Sequence, residues 1–234
     1  ESRLEVVIKS TIVYIPVDTC RILIVDDHPI VRSGITFLVS PEPDFEVVAE
    51  AETPAEALDA VSNNEIDLII LDLTMGGNDG LELLRQIRKI SEETPILVYS
   101  MNDEITWGER AILAGAKGYI PKHREMTELL SAMRVILAGQ LALGKELEAR
   151  LLNRLSASNG GRRARSGIGS LTDRELQVLN LIGTGRTTGE IAAELKLSPK
   201  TIGAHREHIK TKLGLRSAAE LASEAVRLVD QRTV

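Results

Sequence analysis

Apolar residues follow two spacings along the first part of the chain. Short strand-like runs occur at Arg21-Ile-Leu-Ile-Val25, Phe45–Ala51, Asp67-Leu-Ile-Ile-Leu-Asp72, Pro95–Ser100 and Ala116–Ile120. Their length and β-branched content suit buried strands. Between and after them, apolar residues recur at helical period in Ile30–Val39, Pro54–Asn63, Leu81–Ile90, Glu104–Ala114 and Met126–Ala138. Strict alternation of strand and helix predicts an α/β domain built on a doubly wound, five-stranded parallel sheet.

From residue 171 the pattern becomes purely helical. Thr172-x-x-Glu175, Thr187-x-x-Glu190 and Ser217-x-x-Glu220 have capping-box form, and Ser198-Pro199 places an N-cap before a first-turn proline. Gly214 supplies a C-terminal stop. Four helices are predicted: Asp173–Ile182, Thr188–Leu195, Pro199–Leu213 and Ala218–Val229. The Lys196-Leu197 connection is short enough to demand a helix-turn-helix or a plain αα corner.

Two segments remain. Residues 1–20 hold two β-prone pieces split by Lys9-Ser10, read equally as a mis-called start, a tag remnant or an extra edge hairpin. Lys9 interrupts the apolar core that a signal peptide needs. Leucines between Gln140 and Arg154 suggest a connecting helix, and 156–170 has linker composition with Arg162, Arg163 and Arg165 inside it. The expected division is an N-terminal extension (1–20), an α/β domain (21–139), a connecting helix and linker (140–169) and a helical domain (170–234).

Charge separates along the same lines. The chain carries −6 overall, yet residues 1–156 hold 15 Lys and Arg against 26 Asp and Glu, a net of −11, while 157–234 hold 13 against 8, a net of +5. An acidic half suits a cation and phosphoryl chemistry, and a basic half suits a polyanion. Cys20 stands alone, so no intrachain disulfide forms, and His28, His123, His205 and His208 lack zinc-ligand spacing. No apolar run approaches the roughly 18 residues of a membrane span, which predicts a cytoplasmic protein with no membrane partner.

The candidate chemistry lies at strand ends. Asp72 closes one apolar run and Asp26-Asp27 close another, and in an open α/β sheet this edge is where ligands bind. Three carboxylates in one crevice call for a cation, and an oxygen-only set favours Mg²⁺.

Asp26-Asp27, Asp72, Ser100 and Lys122, in this order on these strands, resemble the receiver domain of bacterial response regulators, with a flavodoxin-like fold, over about residues 21–139. The resemblance implies Asp72 as phosphoacceptor and Asp26, Asp27, Asp72 and the Thr74 carbonyl as Mg²⁺ ligands. It further implies Ser100 as switch hydroxyl, Lys122 as the ammonium beside the phosphoryl group and Tyr119 as switch aromatic, turning inward on phosphorylation. Each residue also has a structural alternative: Ser100 as N-cap of the helix containing Glu104, Tyr119 as a rim residue of the core, Lys122 as solvated surface. Two departures from the family pattern stand out. Its usual proline after the Met is Gly76 here, and the proline often found after the lysine precedes it as Pro121.

The run from Leu171-Thr-Asp-Arg-Glu-Leu through Ile191-Ala-Ala-Glu-Leu and Leu197-Ser-Pro-Lys-Thr-Ile to Ile209-Lys-Thr-Lys-Leu-Gly resembles the LuxR-type helix-turn-helix. Together the two halves resemble a response regulator of the NarL/FixJ class. At about 100° per residue, Ile202, Ile209 and Leu213 share one face of the third helix. Lys200, Ala204, Glu207 and Thr211 take the other, with Gly203 and His208 at its edges. The resemblance implies that this helix enters the major groove and that Lys200, Arg206 and Lys210 reach phosphates. Gly203, Ala204 and Glu207 stand at base-reading positions that can be long and cationic in the family. Glu207 suits a cytosine amino group and Ala204 a thymine methyl.

The implied function is a transcription factor of a two-component system, phosphorylated on Asp72 by a sensor histidine kinase, binding double-stranded DNA as a homodimer when phosphorylated. The acidic and basic halves are expected to attract, so that the unphosphorylated first domain covers part of the recognition helix. An enzyme reading, phosphatase chemistry of the haloacid dehalogenase type, needs a second aspartate two residues after the nucleophile, where Thr74 stands. No dedicated enzyme activity beyond slow autodephosphorylation is therefore expected. A third reading has the helical domain binding protein instead of DNA.

Overall fold

The computed structural model describes residues 3–8, 11–16, 19–75, 78–158 and 167–230. The chain divides into two compact units, Glu1–Met75 with Gly80–Leu151, and Leu152–Val234 with Gly76–Asp79. The first begins with an antiparallel hairpin, β1 (Arg3–Ile8) and β2 (Thr11–Pro16), which forms a two-stranded sheet of its own. The two β-prone pieces thus pair with each other, but they do not add an edge to the main sheet as the edge-hairpin reading expected.

The main sheet is made of β3 (Cys20–Val25), β4 (Phe45–Ala51), β5 (Leu68–Leu71), β8 (Ile96–Ser100) and β9 (Gly118–Pro121), all parallel, in the order β4-β3-β5-β8-β9. β5 (Leu-Ile-Ile-Leu) is buried at every position because helices cover both faces of the central strands. Edge strand β4 exposes Glu46 and Glu50, charges that disfavour pairing with another chain. Helix α1 (Pro29–Val39) buries Ile35 and Val39 together with Arg32, and the helices α2 (Pro54–Asn63), α3 (Gly80–Ile90) and α5 (Met126–Leu137) bury one apolar stripe each. Thr53 caps α2 by accepting from the Glu56 N–H, with Pro54 in the first turn. After β5 come the two-residue strands β6 (Thr74–Met75) and β7 (Asn78–Asp79). Gly76 lies outside the described residues.

The predicted helix Glu104–Ala114 is two elements: a π-helical turn over Glu104–Gly108 and a short α4, Glu109–Leu113. Asp103, not Ser100, is the N-cap, accepting from the Thr106 N–H at 2.7 Å. The wider turn carries Trp107 inward to full burial.

The connecting segment does more than the leucine pattern suggests. Before α6 (Lys145–Ser158), Ala142 bonds the open edge of β9: Tyr119 N–H donates to its carbonyl and its own N–H donates to Lys117, both at 3.0 Å. A Cβ on Gly118 would lie 2.8 Å from that carbonyl, so only glycine admits the segment. Leu147 is then fully buried beside Gly108, and Arg150 pairs with Glu109 at 3.2 Å.

In the second unit, α7 (Asp173–Gly183), α8 (Thr188–Glu194), α9 (Pro199–Leu213) and α10 (Ala218–Asp230) enclose a core of Leu176, Leu179, Ile191, Ile202, Ile209 and Leu221. The capping boxes of α7 and α8 are complete. In the third, Ser217 caps Glu220 while the Glu220 carboxylate reaches back to the Arg216 N–H. Gly214 ends α9 in the left-handed region. Gly183 lets the backbone of α10 at Ala225 approach α7 closely. Among the described residues no helix is long and apolar enough to cross a membrane.

Candidate functional site

β3 and β5 are neighbours at the point where the strand order reverses, which opens a crevice at their carboxyl ends. Asp26 follows β3 directly and Asp72 follows β5; each is 2% exposed. Oxygens of Asp26, Asp27 and Asp72 and a ring nitrogen of His28 lie within 4.8 Å of one another, a set able to hold a metal ion. His28 reinforces the turn: its backbone N–H donates to Asp26 Oδ1 at 2.9 Å, and Nδ1 lies 2.7 Å from Asp27 Oδ1.

Lys122, one residue beyond β9, turns its ammonium into this crevice. Nζ donates to Asp26 Oδ2 at 2.6 Å and Asp72 Oδ2 at 2.8 Å, and the side chain is 6% exposed. It is not solvated surface. Burial pushes the Asp72 carboxyl above the ordinary carboxylate value and Asp26 adds to this, while Lys122 opposes both. Burial works against the Lys122 charge, but the two carboxylates outweigh it and keep the group protonated. One ammonium cannot neutralise three carboxylates, so the crevice retains net negative charge.

Ser100 is fully buried at the end of β8, and its carbonyl accepts from the Lys122 N–H at 2.7 Å. Its hydroxyl accepts a long bond, 3.4 Å, from the Asn102 N–H. Thr74 sits beside Asp72, donating its N–H to Oδ1 at 3.1 Å. The Tyr119 ring is completely buried, neither at the core's rim nor waiting outside, and its hydroxyl donates to the Asn102 carbonyl. Asn102, missed in the sequence, connects these groups, since its Nδ2 donates to Thr74 Oγ1 at 3.1 Å. Only its place two residues after Ser100 hinted at it.

On α9, Ile202 and Ile209 are buried, whereas Lys200, Ala204, Glu207, His208 and Thr211 are exposed and Gly203, Arg206 and Lys210 half-buried. Glu207 pairs with Lys210 at 2.9 Å. The turn before α9 places Lys196 at φ 53°. Arg174 on α7 donates to the adjacent Leu195 carbonyl at 2.6 Å. Glu175, almost wholly buried, binds Lys212 Nζ at 2.6 Å and so ties α9 to α7. The sequence marked Glu175 only as a capping residue, and Arg174 gave no signal.

A doubly wound α/β unit with an acidic, lysine-bridged switch point, joined to a helix-turn-helix unit, defines a receiver-type regulator. Residues 22–134 match the family described as response regulator receiver domain, and residues 169–225 match bacterial regulatory proteins of the luxR family. The chain is 35% identical to the Fimbriae Z protein of Salmonella typhimurium over 204 residues, 87% of this chain and 95% of that protein. It is 36% identical to the oxygen regulatory protein NreC of Staphylococcus aureus over 210 residues, 88% of this chain and 97% of that one. Among solved structures it is similar to RcsB from Salmonella enterica serovar Typhimurium bound to promoter rprA in the presence of phosphomimetic BeF3⁻. There the identity is 27%, the TM-score 0.60, and coverage 88% of this chain and 97% of that one. A LuxR-family two-component response regulator from Aurantimonas sp. SI85-9A1 matches at 36% identity and TM-score 0.54, over 59% of this chain and 99% of that one. The chain belongs to the NarL/FixJ-type response regulators, DNA-binding transcription regulators of two-component systems and not enzymes.

Proposed function

We infer that Asp72 is the phosphoacceptor of this regulator, that a sensor histidine kinase is its donor, and that phosphorylation governs binding of α9 to double-stranded DNA. The observation that carries this reading is the convergence of Lys122 with Asp26 and Asp72 in one buried crevice. In the transfer an Asp72 oxygen attacks phosphorus, the bond from phosphorus to the kinase histidine breaks, and the imidazole leaves. In this reading Lys122, already bonded to Asp72, follows the charge onto the phosphoryl oxygens, and Ser100 donates to one of them.

Asp26, Asp27, Asp72 and the Thr74 carbonyl are the proposed Mg²⁺ ligands. Their all-oxygen chemistry and surplus negative charge fit that ion, which would neutralise charge on the transferring group. For the DNA contact, Lys200, Arg206 and Lys210 are assigned to phosphates, and Gly203, Ala204, Glu207, His208 and Thr211 to the groove face. A relative, RcsB, is described as dimers bound to DNA, and we assign this chain the same homodimeric form when phosphorylated. Binding DNA and receiving phosphoryl from a kinase both support a cytoplasmic location. We propose functional boundaries at 21–139 for the receiver and 170–234 for the DNA-binding domain.

The test is labelling of the full chain by acetyl phosphate with Mg²⁺. Asp72 should take up a hydroxylamine-labile phosphoryl group, and Asp72→Asn should take up none. Equal labelling of the variant would move the site elsewhere.

A further inference from the structure

α1 points Arg32, Ile35 and Val39 toward the interior, and Arg32 is the odd member of this stripe. Its side chain is 8% exposed, inside an otherwise apolar face. Taking a guanidinium out of water carries a desolvation penalty that pairing must offset, and an apolar residue of similar size would ordinarily give an equal or more stable core. The charge is met by two carboxylates at the end of β4: Nε donates to Glu50 Oε2 at 2.8 Å and Nη2 to Glu52. Those two pairs explain how the guanidinium is tolerated. They do not explain why it is there.

The third bond does. Nη1 donates to the backbone carbonyl of Asp26 at 2.7 Å, in a buried setting. This carbonyl belongs to the rigid peptide plane that joins Asp26 to Asp27. Across the same residue, the Asp26 N–H donates to the Ala51 carbonyl at 3.0 Å. Pinning both sides fixes the backbone on which the two carboxylates stand. Metal sites depend on such supporting bonds to hold their ligands in orientation.

We propose that Arg32 is a positioning residue for the acidic pair: its guanidinium, anchored by Glu50 and Glu52, grips the Asp26 carbonyl and presents Asp26 and Asp27 to a divalent cation. The inference rests on the metal reading of the acidic cluster given above. Arg32 touches neither the cation nor the phosphoryl group and acts only through the Asp26 peptide. Lysine keeps the charge, but its single ammonium lacks the fork needed to hold both carboxylates and the carbonyl together.

The experiment titrates Mg²⁺ alone into the full chain by calorimetry, with thermal unfolding of the metal-free protein measured alongside. Asp26→Asn is the control for the site, and Arg32→Lys is the test. Arg32→Lys should weaken Mg²⁺ binding roughly tenfold, a change of about 1.4 kcal/mol. An unchanged Kd with a lowered unfolding midpoint makes Arg32 a brace only and overturns the proposal. If the unmodified chain takes up no Mg²⁺, or Asp26→Asn takes it up unchanged, the metal reading falls and this inference with it. Should Arg32→Lys fail to fold, Arg32→Met combined with Glu50→Gln and Glu52→Gln removes the clamp without stranding a charge. Compared with the Glu50→Gln, Glu52→Gln pair it lacks one positive charge, which by itself favours cation binding. Weaker binding by the triple variant than by the pair therefore supports the clamp, and equal or tighter binding overturns it.

Discussion

The Tyr119 hydroxyl donates a 3.0 Å hydrogen bond to the backbone carbonyl of Asn102, with both residues buried. Asn102 in turn donates to Thr74, and Thr74 to Asp72 Oδ1, so three bonds run from the candidate phosphoacceptor to the aromatic ring. At the far end Tyr119 donates its N–H to Ala142, ahead of the connecting helix. A change of charge at Asp72 therefore meets a continuous bonded path toward the connector.

Tyr119→Phe should cost about 1 kcal/mol of stability, the ordinary value of one buried hydrogen bond. Asn102→Ala breaks the path at its side-chain link to Thr74 and should leave labelling of Asp72 intact while blunting its effect on DNA affinity. Denaturant unfolding checks the first, and paired labelling and DNA-binding assays check the second.

Lys122→Ala should shift the pH dependence of labelling. Asp72 must be ionised to attack, so labelling is lost as pH falls through its folded-state value, which burial already raises. Lys122 opposes that rise; without it the acid limb should move to higher pH. A profile unchanged from that of the unmodified chain would show that the ammonium does not act on Asp72.

Glu175→Gln should destabilise the helical unit by about 1–3 kcal/mol, since the Lys212 ammonium loses its charged partner. Burial favours the neutral acid, but Lys212 and the Thr172 N–H outweigh it and hold the carboxyl below the usual range. The stabilisation is therefore present at neutral pH and lost as pH falls through that lowered value. The gap between the unmodified chain and Glu175→Gln in urea unfolding should close on acidification.

On DNA, removing Lys200, Arg206 or Lys210 should weaken binding to all sequences and reduce the salt slope by about 0.9 for each phosphate no longer neutralised. Glu207→Ala should change which bases are preferred. Because Glu207 is paired with Lys210, Lys210→Ala frees that carboxylate and should also alter preference, unlike Lys200→Ala.

What could be read from the chain was whatever depends on local pattern. The strands ending at Val25, Leu71 and Ser100, the helices Pro54–Asn63 and Pro199–Leu213, and the carboxylates at strand ends follow from periodicity, caps and strand termini. The π-helical turn at Glu104–Gly108 was not legible, because its apolar spacing differs little from that of an α-helix and Trp107 is placed by packing. Nor were Asn102, Arg32 and Arg174, whose partners at Thr74, Asp26 and Leu195 lie 28, 6 and 21 residues away. An exchange of hydrogen bonds across such gaps leaves no periodic trace. The docking of Ala142 on β9 is of the same kind, and Gly118 alone, with no side chain to block it, marked the place.

The most direct measurement is the affinity of the full chain for a selected DNA duplex at fixed salt, with and without acetyl phosphate and Mg²⁺, for the unmodified protein and Asp72→Asn. Phosphodonor should tighten binding by the unmodified chain and do nothing for Asp72→Asn. Equal affinity of the unmodified chain in both conditions, or an equal response from Asp72→Asn, would contradict the phosphoacceptor role of Asp72.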